Sequence, residues 1–252
     1  MRRLLLALIF LAMPVQAEEV VLGLSRDTVS ITTNFAGSEI LIFGAVKREA
    51  PVPATPPLEV AITVSGPTTP VTVRRKERVL GIWANTDSVE IDRAPSFYAV
   101  ATSGPFGEVL SDTEDLRHKI SVPRAIRSVG APPEVEDAQA FTDALIRIRE
   151  REGLYQLLEG AVDVTDQTLF STAIAMPADL TEGAYATRIF LTRGGEVVAS
   201  LNTEIDVRKV GLERFLFTLS REQPLAYGLL SLAIAIAAGW GASAIFRMLR
   251  PG

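Results

Sequence analysis

The sequence predicts a mainly β protein that ends in one membrane-spanning helix. Three observations predict it. Short runs rich in β-branched residues alternate every second position between clusters of Gly, Pro, Asn and Ser. A single stretch, residues 132–152, changes to a helical period. The run from Leu225 to Phe246 holds no charged residue. Together they divide the chain into two immunoglobulin-like or β-sandwich subdomains joined by an amphipathic helix, followed by one C-terminal transmembrane helix. The expected boundaries are a signal peptide at 1–17, an N-terminal β-sandwich at 18–130, a connecting helix at 131–153 and a second β-rich subdomain at 154–210. A juxtamembrane amphipathic helix follows at 211–224, then the span at 225–246 and a short tail at 247–252.

The N-terminus reads Met1-Arg2-Arg3, an uncharged run from Leu4 to Ala12, then Pro14 and Val15-Gln16-Ala17. A basic start, a short apolar core and small residues before a cleavage point are the signature of a secretory signal. The apolar run is too short to cross a bilayer, which takes ~20 residues. Cleavage after Ala17 is therefore expected.

From Glu19 to Val122 the pattern is strand-like. Candidate strands are Thr28 to Thr33, Glu39 to Val46, Leu58 to Ser65, Val71 to Leu80 and Phe97 to Thr102. In Leu58-Glu59-Val60-Ala61-Ile62-Thr63-Val64 every second residue is large and apolar, which marks a sheet face turned to a core. Pro51, Pro53, Pro56 and Pro57 make an extended loop between two strands.

The helical segment opens on Pro132-Pro133, with Glu134, Glu136 and Asp137 in its first turns. Phe141, Leu145 and Ile148 share one face, and Arg147, Arg149 and Arg151 gather near its end. Acidic starts and basic ends suit the helix dipole. Beyond it, Leu169 to Ala175, Ala184 to Thr192 and Glu196 to Val207 return to the strand pattern, with a tight hairpin at Arg193-Gly194-Gly195-Glu196.

The C-terminal run is about 33 Å long at ~1.5 Å per residue, enough for ~30 Å of hydrocarbon. Arg247 and Arg250 follow it. Positive charge on a short tail favours the cytoplasmic side. A cleaved signal demands the same topology, so the body is expected in the periplasm of a bacterial inner membrane. Ala235, Gly239 and Ser243 fall on one helix face, and Ala237 and Gly241 form a second small pair. Small faces let backbones approach in lipid, so a membrane-protein partner or a second copy of the chain is expected there; Ala and Gly are also ordinary in bacterial spans. Upstream, Leu212, Phe215, Leu216 and Leu219 recur at helical spacing, as in a helix lying on the membrane surface.

Composition excludes several chemistries. There are no cysteines and one histidine, His118. Thiolate sites, disulfides and multi-histidine metal centres are excluded, and no cofactor is expected. Without Arg2 and Arg3 the basic count falls from 25 to 23 against 30 acidic residues, a net charge of −7. An acidic body is a poor partner for nucleic acid. No nucleophile elbow, phosphate loop or calcium loop occurs. His118 stands in the charged run Asp112 to Lys119, read as an inert exposed turn. No catalytic residue is assigned. The alternative, a periplasmic hydrolase using carboxylates, needs two Asp or Glu residues roughly 5–9 Å apart in a pocket.

The most unusual stretch is Val73-Arg74-Arg75-Lys76-Glu77-Arg78 with Trp83 and Tyr98 beyond it. On a strand Arg74, Lys76 and Arg78 point one way. They are candidates for binding an anion or a partner, with Trp83 or Tyr98 nearby. The plainer reading is a solvated face or a strand edge guarded by charge.

These residues also carry a resemblance. Phe35-Ala36-Gly37 with Ile40 to Gly44, the Val73 to Lys76 and Gly81-Ile82-Trp83 stretches and Pro95-Ser96-Phe97-Tyr98 match a family of predicted transmembrane proteins from alphaproteobacteria. So do Arg221-Glu222-Gln223-Pro224-Leu225-Ala226-Tyr227-Gly228, Gly239-Trp240 and Phe246-Arg247. The chain resembles this family along nearly its whole length. The resemblance implies a signal peptide, a periplasmic β-rich body and one C-terminal span. It brings no activity, and implies a role accessory to an inner-membrane transporter of the sulfite-exporter kind.

Overall fold

A computed structural model of the chain describes residues 19–24, 28–31, 38–48, 55–128, 135, 137–209, 216 and 219–249. The signal segment 1–17 and the tail from Arg250 lie outside the described residues. So do Phe35-Ala36-Gly37 and most of the 211–224 segment, Leu212 and Phe215 included. The described chain is mainly β, with one long apolar helix at its C-terminal end.

Among the described residues twelve strands form three sheets. β1 (Glu19–Leu24), β3 (Ser38–Lys47), β10 (Leu169–Met176) and β9 (Asp163–Thr165) make a four-stranded sheet in the order β1-β3-β10-β9. β2 (Thr28–Ile31), β12 (Glu196–Lys209), β11 (Gly183–Arg193), β4 (Leu58–Ser65), β7 (Tyr98–Thr102) and β8 (Tyr155–Leu158) make a six-stranded sheet in that order. β5 (Thr68–Val79) and β6 (Ile82–Pro95) form a two-stranded sheet, with Arg93 of β6 also bridged to Arg127. Strands that the sequence assigns to two successive subdomains are thus interleaved. β3 pairs with β10 from Leu169↔Ala45 to Met176↔Ser38, and β4 pairs with β11 from Ala186↔Ser65 to Arg193↔Leu58. The two groups complete common sheets in place of standing apart. A two-residue period shows which face of a strand is buried; it does not show which strand lies beside it.

Burial follows the layering. β3 alternates, with Ile40, Ile42 and Val46 inward and Leu41 and Phe43 outward. β4 and β7 are buried on both faces, because β4 also meets β9, β7 also meets β10, and short helices cover them. These helices are α1 (Phe106–Val109), α2 (Asp112–His118) and α3 (Val122–Ala125); α1 rests on β4 and α3 on β7. The helix expected at 131–153 is present as α4 (Ala138–Arg151). Asp137 caps it, accepting from the Ala140 N–H at 3.1 Å. Phe141 and Leu145 are buried, while Ile148 is 46% exposed. The hairpin at Arg193–Glu196 forms as expected, with Gly194 and Gly195 at φ 57° and 82° supplying the positive angles that a two-residue turn requires.

Three tyrosines fix the seams of the body. Tyr98 donates to the Ile120 carbonyl, Tyr155 to the Pro95 carbonyl and Tyr185 to the Thr181 carbonyl, each at 2.8 Å. The bond from Tyr185 back to a carbonyl four residues upstream has the form of the tyrosine corner of immunoglobulin-like sandwiches. Burial pushes all three phenols up, Tyr155 to about 12. A raised phenol keeps its proton in the fold after the unfolded chain has lost its own near pH ~10. Stability should therefore hold below that pH and fall as pH rises toward about 12. Urea titrations at alkaline pH check this. Tyr155→Phe should make the fall shallower while lowering stability near neutrality by about 1 kcal/mol through the lost hydrogen bond.

The C-terminal unit holds α5 (Pro224–Leu249). The Gln223 N–H bonds the Leu219 carbonyl at 3.0 Å and the Tyr227 N–H bonds the Gln223 carbonyl at 3.1 Å, so helical bonding runs across the proline. Pro224 opens α5, where its fixed φ already suits the helix.

Candidate functional site

The ribbon β5–β6 is where the chain departs most from a packed sheet. Its base is held. Val89 and Ile91 are buried, and Val71, Val73 and Arg75 face inward. Arg75 pairs with Asp87 at 3.7 Å and lies 4.8 Å from the centroid of the Phe141 ring, which ties β5 to α4. Pro70 falls at one register shift, between Thr69 and Val71, where a missing N–H breaks no ladder bond; a second shift lies between Arg75 and Lys76.

Past that second bulge the ribbon has no cover. Every residue from Lys76 to Trp83 is exposed. Register puts Lys76 opposite Asn85, Arg78 opposite Trp83 and Val79 opposite Ile82. Arg74, Lys76, Arg78 and Trp83 therefore share one face, and Val79 and Ile82 lie on the other. Leu80 and Gly81 form the turn at φ 51° and 89°, both positive as in a type I′ turn. The Arg78 Nε donates to the Gly81 carbonyl at 3.4 Å. Leu80 is 100% exposed, Trp83 72% and Ile82 69%. An isolated two-stranded ribbon is marginal in water, and an exposed leucine in the left-handed region is an unfavourable turn residue. Both choices oppose stability, so the tip is not explained by folding.

Of the residues singled out in the sequence, the structure brings Arg74, Lys76, Arg78 and Trp83 together. Tyr98 stands elsewhere. It is 1% exposed in the six-stranded sheet, separated from Trp83 by about 40 Å of extended strand at ~3.3 Å per residue. β6, which carries Trp83 away from Tyr98, is not evident in the sequence, because its outer half is exposed on both faces and shows no two-residue burial pattern.

Tyr98 belongs to a polar cluster that sequence reasoning missed. Arg188 on β11 donates from Nη1 to the His118 carbonyl at 2.7 Å and from Nη2 to the Lys119 carbonyl at 3.0 Å. It also reaches the Tyr98 hydroxyl at 3.2 Å and, through Nε, the Thr63 hydroxyl at 3.2 Å. Asp115 accepts from the Ile120 and Ser121 N–H groups at 3.0 and 2.7 Å and from the Ser121 hydroxyl at 2.7 Å. His118 is the last residue of α2, not part of an exposed turn. Its Nε2 is 3.3 Å from buried Glu114, which Arg117 also contacts, and its ring is 5.4 Å from that of Phe190. Arg188 and Asp115 spend these bonds on holding the loop after α2 against the sheet, so the cluster is a clasp.

A groove of about 500 Å³ is lined by Ser38, Glu39, Gly153, Gln156, Ala175, Met176 and Pro177, with Glu39 its one carboxylate. Burial first, and then the charge of Glu108, push the Glu59 carboxyl above its usual range, but neither residue lines that groove. Among the described residues no three His, Asp or Glu side chains gather as a metal site would require.

In α5 the stretch Pro224–Ser243 meets the length and composition of a membrane span, and none of it is buried within the protein. Gly239 and Gly241 have nothing within 4 Å of where a Cβ would stand, so the small-residue positions Ala235, Ala237, Gly239, Gly241 and Ser243 are open to a neighbour.

A protein-family model described as "Putative transmembrane protein (Alph_Pro_TM)" matches residues 19–248, from β1 to the last turn of α5. A comparison with curated proteins finds no match.

Proposed function

Because the chain belongs to the Alph_Pro_TM family of alphaproteobacterial transmembrane proteins, we propose that it is a non-enzymatic, membrane-anchored interaction module. In this reading the β body stands in the periplasm, residues 247–252 lie in the cytoplasm, and the chain is accessory to an inner-membrane transporter. The observation that carries it is α5, whose apolar stretch Pro224–Ser243 is not buried within the protein and presents open glycines. In lipid such a surface gains by packing against another helix, because small residues permit close backbone contact and van der Waals attraction replaces the absent hydrophobic force. The signal-like N-terminus and the arginines after the span support the topology. The resemblance noted in the sequence supports the transporter.

Crosslinking in native membranes and copurification in mild detergent test this. The chain should recover a membrane-protein partner or its own copy. Gly239→Leu with Gly241→Leu should reduce the recovered complex about tenfold, the loss of roughly 1.4 kcal/mol of helix packing. A monomer without partner, or crosslinking unchanged by the two leucines, would refute it.

A further inference from the structure

We propose that the tip of the β5–β6 ribbon docks onto an anionic phospholipid surface, with Leu80, Ile82 and Trp83 among the lipids and Arg74, Lys76 and Arg78 at the level of the headgroups. The argument begins at the turn. Leu80 sits at φ 51°, where Asn, Asp or Gly would be the ordinary choice, and it is fully exposed. A strained backbone carrying a bare apolar side chain is a feature that function, not folding, explains.

The surroundings define the occupant. Apolar groups stand on both faces of the tip, Trp83 on one and Val79 and Ile82 on the other. A groove on a protein would cover one face and leave the second wet, whereas lipid surrounds an immersed tip on all sides. Tryptophan prefers the membrane interface, where its ring is buried and its N–H stays hydrated. Arg78 stands beside Trp83 as its cross-strand partner, and Lys76 and Arg74 follow behind on the same face, all exposed. Behind that, at the base, Glu90 and Asp92 are exposed. Toward the tip Arg74, Arg75, Lys76 and Arg78 outweigh Glu77, whereas at the base Glu90 and Asp92 outweigh Arg93, so positive charge is concentrated at the end that meets a negatively charged surface. The bilayer is available, because the same chain carries a membrane span. This inference does not depend on what α5 packs against.

The test uses the full chain carrying Trp240→Phe, which leaves Trp83 as the sole tryptophan of the two. It is reconstituted in nanodiscs of phosphatidylcholine alone or of phosphatidylcholine with phosphatidylglycerol, each with lipids brominated near the headgroup. In the anionic discs Trp83 emission should move to shorter wavelength and be quenched severalfold more than in the neutral discs, and rising salt should weaken the quenching. Replacing Arg74, Lys76 and Arg78 together by Gln should bring quenching to the neutral level. Leu80→Asn should also reduce it, in a turn that asparagine suits better, so that loss there cannot come from a misfolded ribbon. Water-like, unquenched Trp83 emission in anionic discs would overturn the proposal. So would quenching that ignores both lipid charge and the Gln variant. A blue shift that appears only when solubilised membrane proteins are added would assign the tip to a protein partner and overturn it equally.

Discussion

Replacing Arg188 by alanine should destabilise the β body by about 3 kcal/mol, the expected result of leaving several polar partners without a donor. One guanidinium serves the Tyr98 and Thr63 hydroxyls and the carbonyls of His118 and Lys119. The planar fork of arginine reaches all four at once, which an ammonium cannot do. Arg188→Lys should therefore recover only part of the loss. The effect should extend to the loop after α2, since Arg188 and Asp115 grip it from two sides. Urea denaturation of the purified chain measures the stability change. Amide exchange at Ile120 and Ser121 reports whether the clasp has opened locally, and unchanged protection there would refute this account of the cluster.

The second large effect concerns α5. A chain ending before Pro224 should move from the membrane pellet, where alkaline carbonate cannot extract the full chain, to the extractable fraction. The apolar run is a full spanning length, and neither a surface helix nor an inserted hairpin tip approaches the retention that a spanning helix gives. Retention of most of the shortened protein in the carbonate-resistant pellet would show that another segment spans or is buried in the bilayer.

The span and most strands were legible in the sequence because each is a local pattern. Length alone identifies α5, and the alternation of Leu58, Val60, Ile62 and Val64 identifies β4. The Gly194-Gly195 turn was legible because only certain residues reach those angles without strain. What stayed hidden depends on contacts distant in sequence. β6 lacks alternation because its outer half packs on nothing. α2 is a short helix made chiefly of polar residues; its cap, Ser111 accepting from the Glu114 N–H at 3.4 Å, and its clasp to Arg188 emerge only in the fold. The hairpin sets Arg78 across from Trp83, with Lys76 and Arg74 on the same face, whereas the length of β6 parts Trp83 from Tyr98. The pairing of β3 with β10 and of β4 with β11 had no local signal at all.

That interleaving sets the order in which a nascent chain can fold. β4 has its hydrogen-bonding partners in β7 and in β11, and β11 begins only at Gly183. The N-terminal strands therefore emerge with a sheet edge they cannot complete, and loop closure over more than a hundred residues must wait for the C-terminal strands. β12 ends at Lys209 and α5 begins at Pro224. Closure of the body and arrival of the anchor thus fall almost together in synthesis. The two larger sheets therefore stay incomplete until β10, β11 and β12 have been made.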